Sequence, residues 1–269
     1  MPGHGSELGE TRAYQLGDDV RRIDWNVSAR LQNTYIRQTI AERELESWLI
    51  VDTGARMDFG TALCTKRDLA LSAAAAVGFL TSRDGNRLGA ILAAPDGATV
   101  VPARGTKKHT LRLLSQIHEA PHANAGGVTD LTGALKRLSG VARRRGLVAV
   151  ISDFRVDEGW LDAIRIVAKR HDVLAIEVVD PLERRLPNVG LISIVDPATG
   201  SYSEVATHKA KVRDIYAAAA DQRAASIASE FRAARIDHLV LHTDRPWLDD
   251  LVAFVAARRH RLTAQLGGI

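Results

Sequence analysis

The stretch Leu147-Val148-Ala149-Val150-Ile151-Ser152-Asp153 decides the fold of this 269-residue chain. Five apolar residues and a serine are followed directly by a carboxylate, and Trp48-Leu49-Ile50-Val51-Asp52 likewise ends an apolar run on an aspartate. Strands that are apolar on both faces are typical of parallel sheets covered by helices on each side. An aspartate directly after such a strand lies at its carboxyl end, where open parallel sheets bind ligands.

Strand-like and helix-like periodicity alternates along the rest of the chain. It predicts strands at 33–40, 45–52, 88–93, 99–101, 147–152, 173–179 and 237–242, and a hairpin from 191–195 and 201–205. It predicts helices at 66–82, 107–119, 130–143, with Thr129 at the N-cap position, 160–170, 209–235 and 247–262. We therefore predict a doubly wound α/β domain at 33–269, with a mostly parallel sheet flanked by helices, after an N-terminal arm at 1–32.

The composition excludes several classes of protein. Hydrophobic residues make up 46% and charged residues 25% of the chain, as in ordinary globular proteins. The net charge of +4 comes from dispersed arginines and aromatic residues reach only 5%, which argues against nucleic-acid binding. Cys64 is the only cysteine, so an intramolecular disulfide is excluded. The apolar run 70–80 is too short to span a membrane, and residues 1–5 lack the apolar core of a signal peptide. We expect a cytoplasmic, soluble protein.

Three oxygen-bearing side chains are expected to meet at the carboxyl edge of the sheet. Asp52 and Asp153 end core strands, and Thr129 follows two glycines at a helix start. Carboxylates and hydroxyls form a hard oxygen shell that suits Mg²⁺. Each residue taken alone also has a structural interpretation, because strands of doubly wound proteins commonly end in aspartate and threonine commonly caps helices.

The N-terminal arm carries an unusual alternation of charges around aromatic residues. Its sequence is Arg12-Ala-Tyr-Gln-Leu-Gly-Asp-Asp-Val-Arg-Arg-Ile-Asp-Trp25, followed by Ser28-Ala29-Arg30. We expect the charged residues to pair among themselves and Tyr14, Ile23 and Trp25 to supply docking energy through burial. The arm is either a structural clasp or a binding surface. Its candidate residues are Arg12, Tyr14, Asp18, Asp19, Arg21, Asp24, Trp25 and Arg30.

This arm resembles the R-x-Y-x-x-G-D-D-x-R-x-I-D-W pattern of the DUF58 family. Those are von Willebrand factor A-like (vWA-like) proteins that are often encoded beside MoxR-type AAA+ ATPases. The segments 126–131 and 151–154 also resemble loops of that family. The resemblance implies a vWA-like fold and a non-enzymatic interaction module. It further implies a MoxR-type ATPase as partner, with this protein as its adaptor or co-chaperone for a client.

The vWA-like resemblance also implies a metal-ion-dependent adhesion site. Its pattern is D-x-S-x-S, then a threonine in a second loop and an aspartate after a further strand, which Asp52, Thr129 and Asp153 match. Gly54 and Arg56 stand where the pattern has serines. We therefore expect a degenerate site with no metal or weakly bound Mg²⁺. Arg56 is expected to pair with Asp52 or Asp153, since guanidinium groups bind carboxylates in bidentate fashion. The expected partner-binding residues are Gly54, Arg56, Asp58 and Asp130.

Two other functions remain open on the sequence. A Mg²⁺-dependent phosphoesterase or nuclease could use Asp52 and Asp153 at the same strand ends. A basic nucleic-acid-binding domain is the weaker alternative, and it predicts steep salt dependence. No Walker A loop, G-x-S-x-G elbow or H-E-x-x-H pattern follows a predicted strand, so the corresponding enzyme classes are excluded.

Overall fold

The structure, a computed structural model, describes residues 11–15, 18–31, 33–37, 45–81, 86–121 and 126–266. The chain divides into two compact units, Met1–Arg43 and Glu44–Ile269.

The strands are β1 (Thr11–Ala13), β2 (Tyr35–Arg37), β3 (Glu46–Asp52), β4 (Arg87–Ala94), β5 (Gly97–Arg104), β6 (Leu147–Ser152), β7 (Asp172–Val179), β8 (Leu191–Val195), β9 (Tyr202–Ala206) and β10 (Asp237–His242). The α-helices are α1 (Trp25–Leu31), α2 (Lys66–Thr81), α3 (Lys107–His118), α4 (Leu131–Val141), α5 (Trp160–Ala168), α6 (Ala210–Ala233) and α7 (Trp247–Leu266).

Six strands of the larger unit form one sheet in the order β10-β7-β6-β3-β4-β5. Every neighbouring pair is parallel except β4 and β5, which are antiparallel and joined by a tight turn. Numbered within the sheet along the chain, the strands run 6-5-4-1-2-3, which is the order of doubly wound folds. The predicted fold class, a doubly wound and mostly parallel α/β sheet, is confirmed.

Both faces of the central strands are buried, which explains the long apolar runs of β3 and β6. Leu49 and Val51 of β3 pack on one face in a cluster with α2, α3 and α7. Trp48 and Ile50 of the same strand point to the other face, against α4, α5 and α6. Successive side chains of a strand alternate between faces, so a strand covered on both sides needs apolar residues at every position.

Two predicted elements differ from the structure in ways that matter here, and β1 and α1 of the arm were not predicted. The strand predicted at 33–40 is described only at Tyr35–Arg37, which pairs with Thr11–Ala13 in the smaller unit; residues 38–40 lie outside the described part. The helix predicted at 130–143 is Leu131–Val141, and Asp130 caps it by accepting the Gly133 N–H at 2.6 Å. Thr129 is therefore not the cap, because its hydroxyl is bound elsewhere.

No helix among the described residues combines the length and apolar character needed to cross a membrane.

Candidate functional site

The candidate site lies at the carboxyl edge of the sheet, between β3 and β6. These neighbours are the first and fourth strands of the sheet along the chain, so the chain reverses its winding direction between them. Ligands of doubly wound proteins bind at such a switch point. Asp52 ends β3, Asp153 follows β6, and the loop before α4 supplies Thr129, so the structure brings the three predicted residues together.

Asp52 is buried and held by three hydrogen bonds. Its Oδ1 accepts the Gly54 N–H at 2.9 Å and the Thr129 hydroxyl at 2.8 Å, and its Oδ2 accepts the Ser152 hydroxyl at 2.7 Å. Burial first, and then the negative charge of Asp153, raise the pKa of Asp52 to about 6. The three donors oppose this rise without cancelling it. Asp52 therefore takes up a proton at a higher pH than an ordinary aspartate.

Lys66 supplies the positive charge at the centre of the site. Its side chain is 0% exposed, and its Nζ lies 2.6 Å from Asp153 Oδ2 and 2.8 Å from Glu183 Oε1. Burial opposes the charged form of Lys66, but the two carboxylates outweigh it and raise the pKa of the ammonium. Burial likewise opposes ionisation of Asp153, and the charge of Lys66 lowers the pKa of that carboxyl below its usual value. This ion pair is thus ionised across the physiological range.

The first turn of α2 is fixed in a way that places Lys66 next to Asp153 and Glu183. Thr65 and Asp68 exchange hydrogen bonds, since the Asp68 N–H donates to Thr65 Oγ1 at 3.1 Å and the Thr65 N–H donates to Asp68 Oδ2 at 3.0 Å. This reciprocal pair resembles a capping box and fixes the first turn. Leu69, Ala70 and Ala73 follow Lys66 on the buried face of the helix. Lys66 was not among the residues predicted for the site, although a lysine in step with a buried apolar stripe was a usable signal.

Glu183 reaches Lys66 from the loop after β7. Pro181–Glu183 forms a short 3₁₀ helix whose N-cap, Asp180, accepts the Leu182 N–H at 3.0 Å. Asp180 is fully buried and also accepts the hydroxyls of Thr61 at 2.6 Å and Thr243 at 2.8 Å. Burial opposes ionisation of Asp180, but these donors lower its pKa. The loop that carries Glu183 is therefore anchored at its first residue.

Arg56 does not pair with Asp52 or Asp153, so that expectation was wrong. It lies in the 3₁₀ helix Ala55–Asp58 after β3, and its guanidinium binds Asp196 in bidentate fashion, with Nε–Oδ1 3.0 Å and Nη2–Oδ2 2.7 Å. Its Nη1 also donates to the Arg155 carbonyl. The hydrogen bonds from Arg56 lower the pKa of Asp196 to about 2. Asp196 opens the turn of the β8–β9 hairpin, which no sequence pattern connected with Arg56.

The remaining predicted partner-binding residues all take part in contacts within the chain. Asp58 binds the guanidinium of Arg67, and Asp130 caps α4. A side chain at Gly54 would meet Thr129 at once, because a Cβ there would lie 2.1 Å from Thr129 Oγ1. This close approach requires glycine at position 54.

These residues do not fit a divalent cation. Magnesium needs several oxygen ligands in near-octahedral geometry. The ammonium of Lys66 lies on Asp153 instead, and Thr129 donates its hydroxyl directly to Asp52. Position 54 has no hydroxyl and no room for one. Within the described ranges, no group of three or more His, Cys, Asp or Glu side chains is arranged to hold a metal ion.

The arm residues lie in the smaller unit. Arg12 pairs with Asp18 through contacts of 2.8 and 2.7 Å, as expected. Asp19 and Asp24 accept backbone N–H groups, from Arg21 at 3.0 Å and from Asn26 at 3.1 Å.

The apolar residues of the arm differ in exposure. Trp25 is 72% exposed, so it does not pack within its own unit, and its expected role in docking stays a prediction. Tyr14 and Ile23 are half-buried, and Arg30 is exposed in α1. Among the described residues of this unit, Ile36 of β2 is the buried apolar residue.

Comparisons with known proteins identify relatives of the chain. Residues 10–226 match the family described as "Protein of unknown function DUF58". Over 259 residues the chain is 49% identical to the uncharacterized protein Rv1480 of Mycobacterium tuberculosis, covering 96% of this chain and 81% of that protein. It is 40% identical over 161 residues to the uncharacterized protein MAV169 of Mycobacterium avium, covering 60% of this chain and 95% of that protein.

Solved structures with a similar fold have distant sequences. The conserved hypothetical protein BatB from Bacteroides thetaiotaomicron has a TM-score of 0.50 at 12% identity, covering 80% of this chain and 98% of that chain. An aerotolerance-related membrane protein from Bacteroides fragilis also has a TM-score of 0.50 at 12% identity, covering 80% of this chain and 97% of that chain. At this level of identity the similarity shows the fold alone.

Proposed function

The chain belongs to the DUF58 family and has the vWA-like fold, and from this premise we propose that it is a non-enzymatic interaction module. Its switch-point edge is a degenerate adhesion site in which a lysine replaces the divalent cation. The module is an adaptor or co-chaperone of a MoxR-type AAA+ ATPase and links that ATPase to a client protein.

The observation that carries the proposal is the buried Lys66. Its ammonium lies within hydrogen-bond distance of Asp153 and of Glu183 at the edge where doubly wound folds bind ligands. The ammonium of Lys66 is part of the chain, so its positive charge stays at this edge at any concentration of Mg²⁺. Recognition at this face would then proceed without metal, and the surrounding loops would be held in one arrangement by permanent ion pairs.

The assignment of the partner rests on the family. DUF58 proteins are often encoded beside MoxR-type ATPases, and a gene neighbour is an association rather than a contact. The structure supports the adaptor role indirectly, because the strand-end carboxylates are engaged by Lys66, Thr129 and Ser152 and are not open to a catalytic metal.

The experiment is capture of the purified MoxR-type ATPase of the same organism by the immobilised protein. It is performed without nucleotide in Mg²⁺ or in EDTA, and again with ATP and Mg²⁺. We expect capture that EDTA does not weaken in the nucleotide-free samples. Arg56→Gln and Asp153→Asn should weaken it, whereas Arg137→Gln, an exposed position on α4, should not. Failure to capture the ATPase under every condition would overturn the adaptor assignment.

The enzymatic alternative, a Mg²⁺-dependent phosphoesterase or nuclease, makes an opposite prediction. It needs a metal with open coordination positions between Asp52 and Asp153. The ion pair of Lys66 with Asp153 argues against this arrangement. If the protein hydrolysed a generic phosphoester only with Mg²⁺, and Asp153→Asn abolished this activity, the chain would be an enzyme and not an interaction module.

A further inference from the structure

A groove of about 560 Å³ lies between the β8–β9 hairpin and the carboxyl edge of the sheet. We call it the hairpin groove. The residues that matter for its chemistry are Phe59, Leu186, Ile192, Ile194, Arg155 and Arg223. All of them belong to the larger unit.

The hairpin supplies an apolar wall. Along β8, Ile192 and Ile194 are half-buried and line the groove, together with the more exposed Ser193 and Val195. The alternation of exposure along this strand follows from its two faces. Phe59 adds a partly exposed aromatic ring to the lining. An apolar ligand segment would therefore bury surface along one strand of the hairpin.

The groove also contains two arginines without a carboxylate of their own. Arg155 Nε is 3.7 Å from Glu183 Oε1, an oxygen that already accepts the Lys66 ammonium at 2.8 Å. The guanidinium of Arg223 donates to the Phe154 carbonyl at 2.8 Å and forms no ion pair with any residue in the described part of the chain.

Positive charge is therefore in surplus at the groove. Among the residues that line the groove, four are cations, namely Arg56, Lys66, Arg155 and Arg223, and two are carboxylates, namely Glu183 and Asp196. Asp153, which pairs with Lys66, lies outside this lining. Partial desolvation, and then the charge of Arg155, lower the pKa of Arg223. The two arginines thus repel each other, and an anion placed between them would relieve that repulsion.

We propose that the hairpin groove binds an extended segment of a partner protein in which one glutamate or aspartate stands between large apolar residues. The carboxylate would pair with Arg155 and Arg223, and the apolar neighbours would cover Ile192 and Ile194. A free phosphate would satisfy the arginines but leave this apolar wall uncovered, so a peptide fits the groove better. The inference rests on the proposed function, since it names the chemistry of the partner.

The test measures fluorescence anisotropy of a short fluorescein-labelled peptide with a single glutamate between two leucines on each side. The same peptide with glutamine is the matched probe. We expect the glutamate peptide to bind at least about tenfold more tightly, a ratio that corresponds to about 1.4 kcal/mol. Arg155→Gln and Arg223→Gln should each reduce this ratio, and the double variant should abolish it. Arg137→Gln removes an equal charge outside the groove and should leave the ratio unchanged.

Two results would overturn the inference. One is equal binding, or no binding, of the two peptides to the unaltered protein; the other is a glutamate preference that survives in the double arginine variant. Capture of the ATPase by the same preparations separates this from the proposed function. A protein that captures the ATPase but does not prefer the glutamate peptide keeps its adaptor role and loses this peptide site. A protein that prefers the glutamate peptide but does not capture the ATPase keeps the peptide site, and the ATPase is then not its partner.

Discussion

The ammonium of Lys66 lies 2.6 Å from a carboxylate oxygen of Asp153, although 87 positions separate the two residues along the chain. Lys66 begins α2 and Asp153 follows β6, so the pair joins a helix start to the carboxyl edge of the sheet. A buried pair of this kind adds little stability over an apolar pair, but removing one partner leaves an uncompensated charge. The pair therefore makes this edge sensitive to single substitutions.

Lys66→Met should lower the free energy of unfolding by about 3–5 kcal/mol at neutral pH, because it leaves Asp153 and Glu183 near each other without their cation. Urea unfolding at pH 7 measures the effect. Lys136→Met, at an exposed position of α4, should change stability by less than about 0.5 kcal/mol. Equal stabilities of the two variants would contradict the buried ion pair.

Asp52→Asn should alter the pH dependence of stability. The pKa of Asp52 is about 6 in the folded protein, above its unfolded value of 3.8, so the folded state binds more protons between these values. Ionised Asp52 therefore destabilises the protein as the pH rises from about 4 to about 6. The stability of the wild-type protein relative to Asp52→Asn should fall over this window by on the order of 2 kcal/mol.

Asp153→Asn is the matched contrast to Asp52→Asn. The pKa of Asp153 is lowered in the folded state, so its stabilising effect is present above pH 3.8 and is lost only as the pH falls through the lower folded pKa. The advantage of the wild-type protein over Asp153→Asn should therefore change less between pH 5 and pH 7 than its advantage over Asp52→Asn, because Asp153 itself does not titrate there and contributes only through its effect on the pKa of Asp52. Urea unfolding at several pH values measures both differences. If stability changed with pH in the same way in both variants, the pKa values of Asp52 and Asp153 would not be shifted in opposite directions as described.

Gly54→Ala should destabilise the protein by about 1–3 kcal/mol, because its Cβ would lie 2.1 Å from Thr129 Oγ1 and would displace the hydroxyl from Asp52. Gly140→Ala in α4 is the control, since a Cβ there meets no atom within 4 Å and should raise stability by up to about 1 kcal/mol. Combining Gly54→Ala with Thr129→Ala should cost less than the sum of the single changes. If the losses of stability from the two single changes simply added in the double variant, a clash between the Cβ at position 54 and Thr129 would be excluded.

Arg56 and Asp196 should show a coupling free energy of about 1 kcal/mol in a double-mutant cycle of Arg56→Gln and Asp196→Asn. The value is modest because the two side chains are 24% and 32% exposed. Either substitution should also accelerate amide hydrogen exchange in the hairpin turn, where the Gly200 N–H donates to the Asp196 carbonyl at 2.8 Å. Unchanged exchange at Gly200 together with zero coupling would show that Arg56 does not hold the turn.

Several features of the fold could be predicted because they depend on local pattern. The runs 48–51 and 147–151 are apolar at every position, which predicts burial on both faces and hence a parallel sheet. Once the sheet is parallel, Asp52 and Asp153 must share one edge. The hairpin at 191–206 followed from two short strands around a turn with Pro197 and Gly200.

Side-chain partners at the site could not be predicted in the same way. Thr129 and Asp130 are both good cap residues, and only the position of β3 shows that Thr129 binds Asp52 while Asp130 caps α4. Arg56 and Asp196 are 140 positions apart, so nothing in the local sequence of either residue indicates their pairing.

The amino-acid sequence by itself determined the order of strands and helices in the larger unit, the mostly parallel sheet and the edge that carries Asp52 and Asp153, because hydrophobic periodicity acts within a few residues of chain. Only the tertiary structure decided which cation occupies that edge. Lys66 reaches Asp153 because α2 packs with its apolar stripe on the sheet, and Glu183 reaches Lys66 because the loop after β7 is anchored at Asp180. Charges far apart in sequence pair through space, and folding sets those distances.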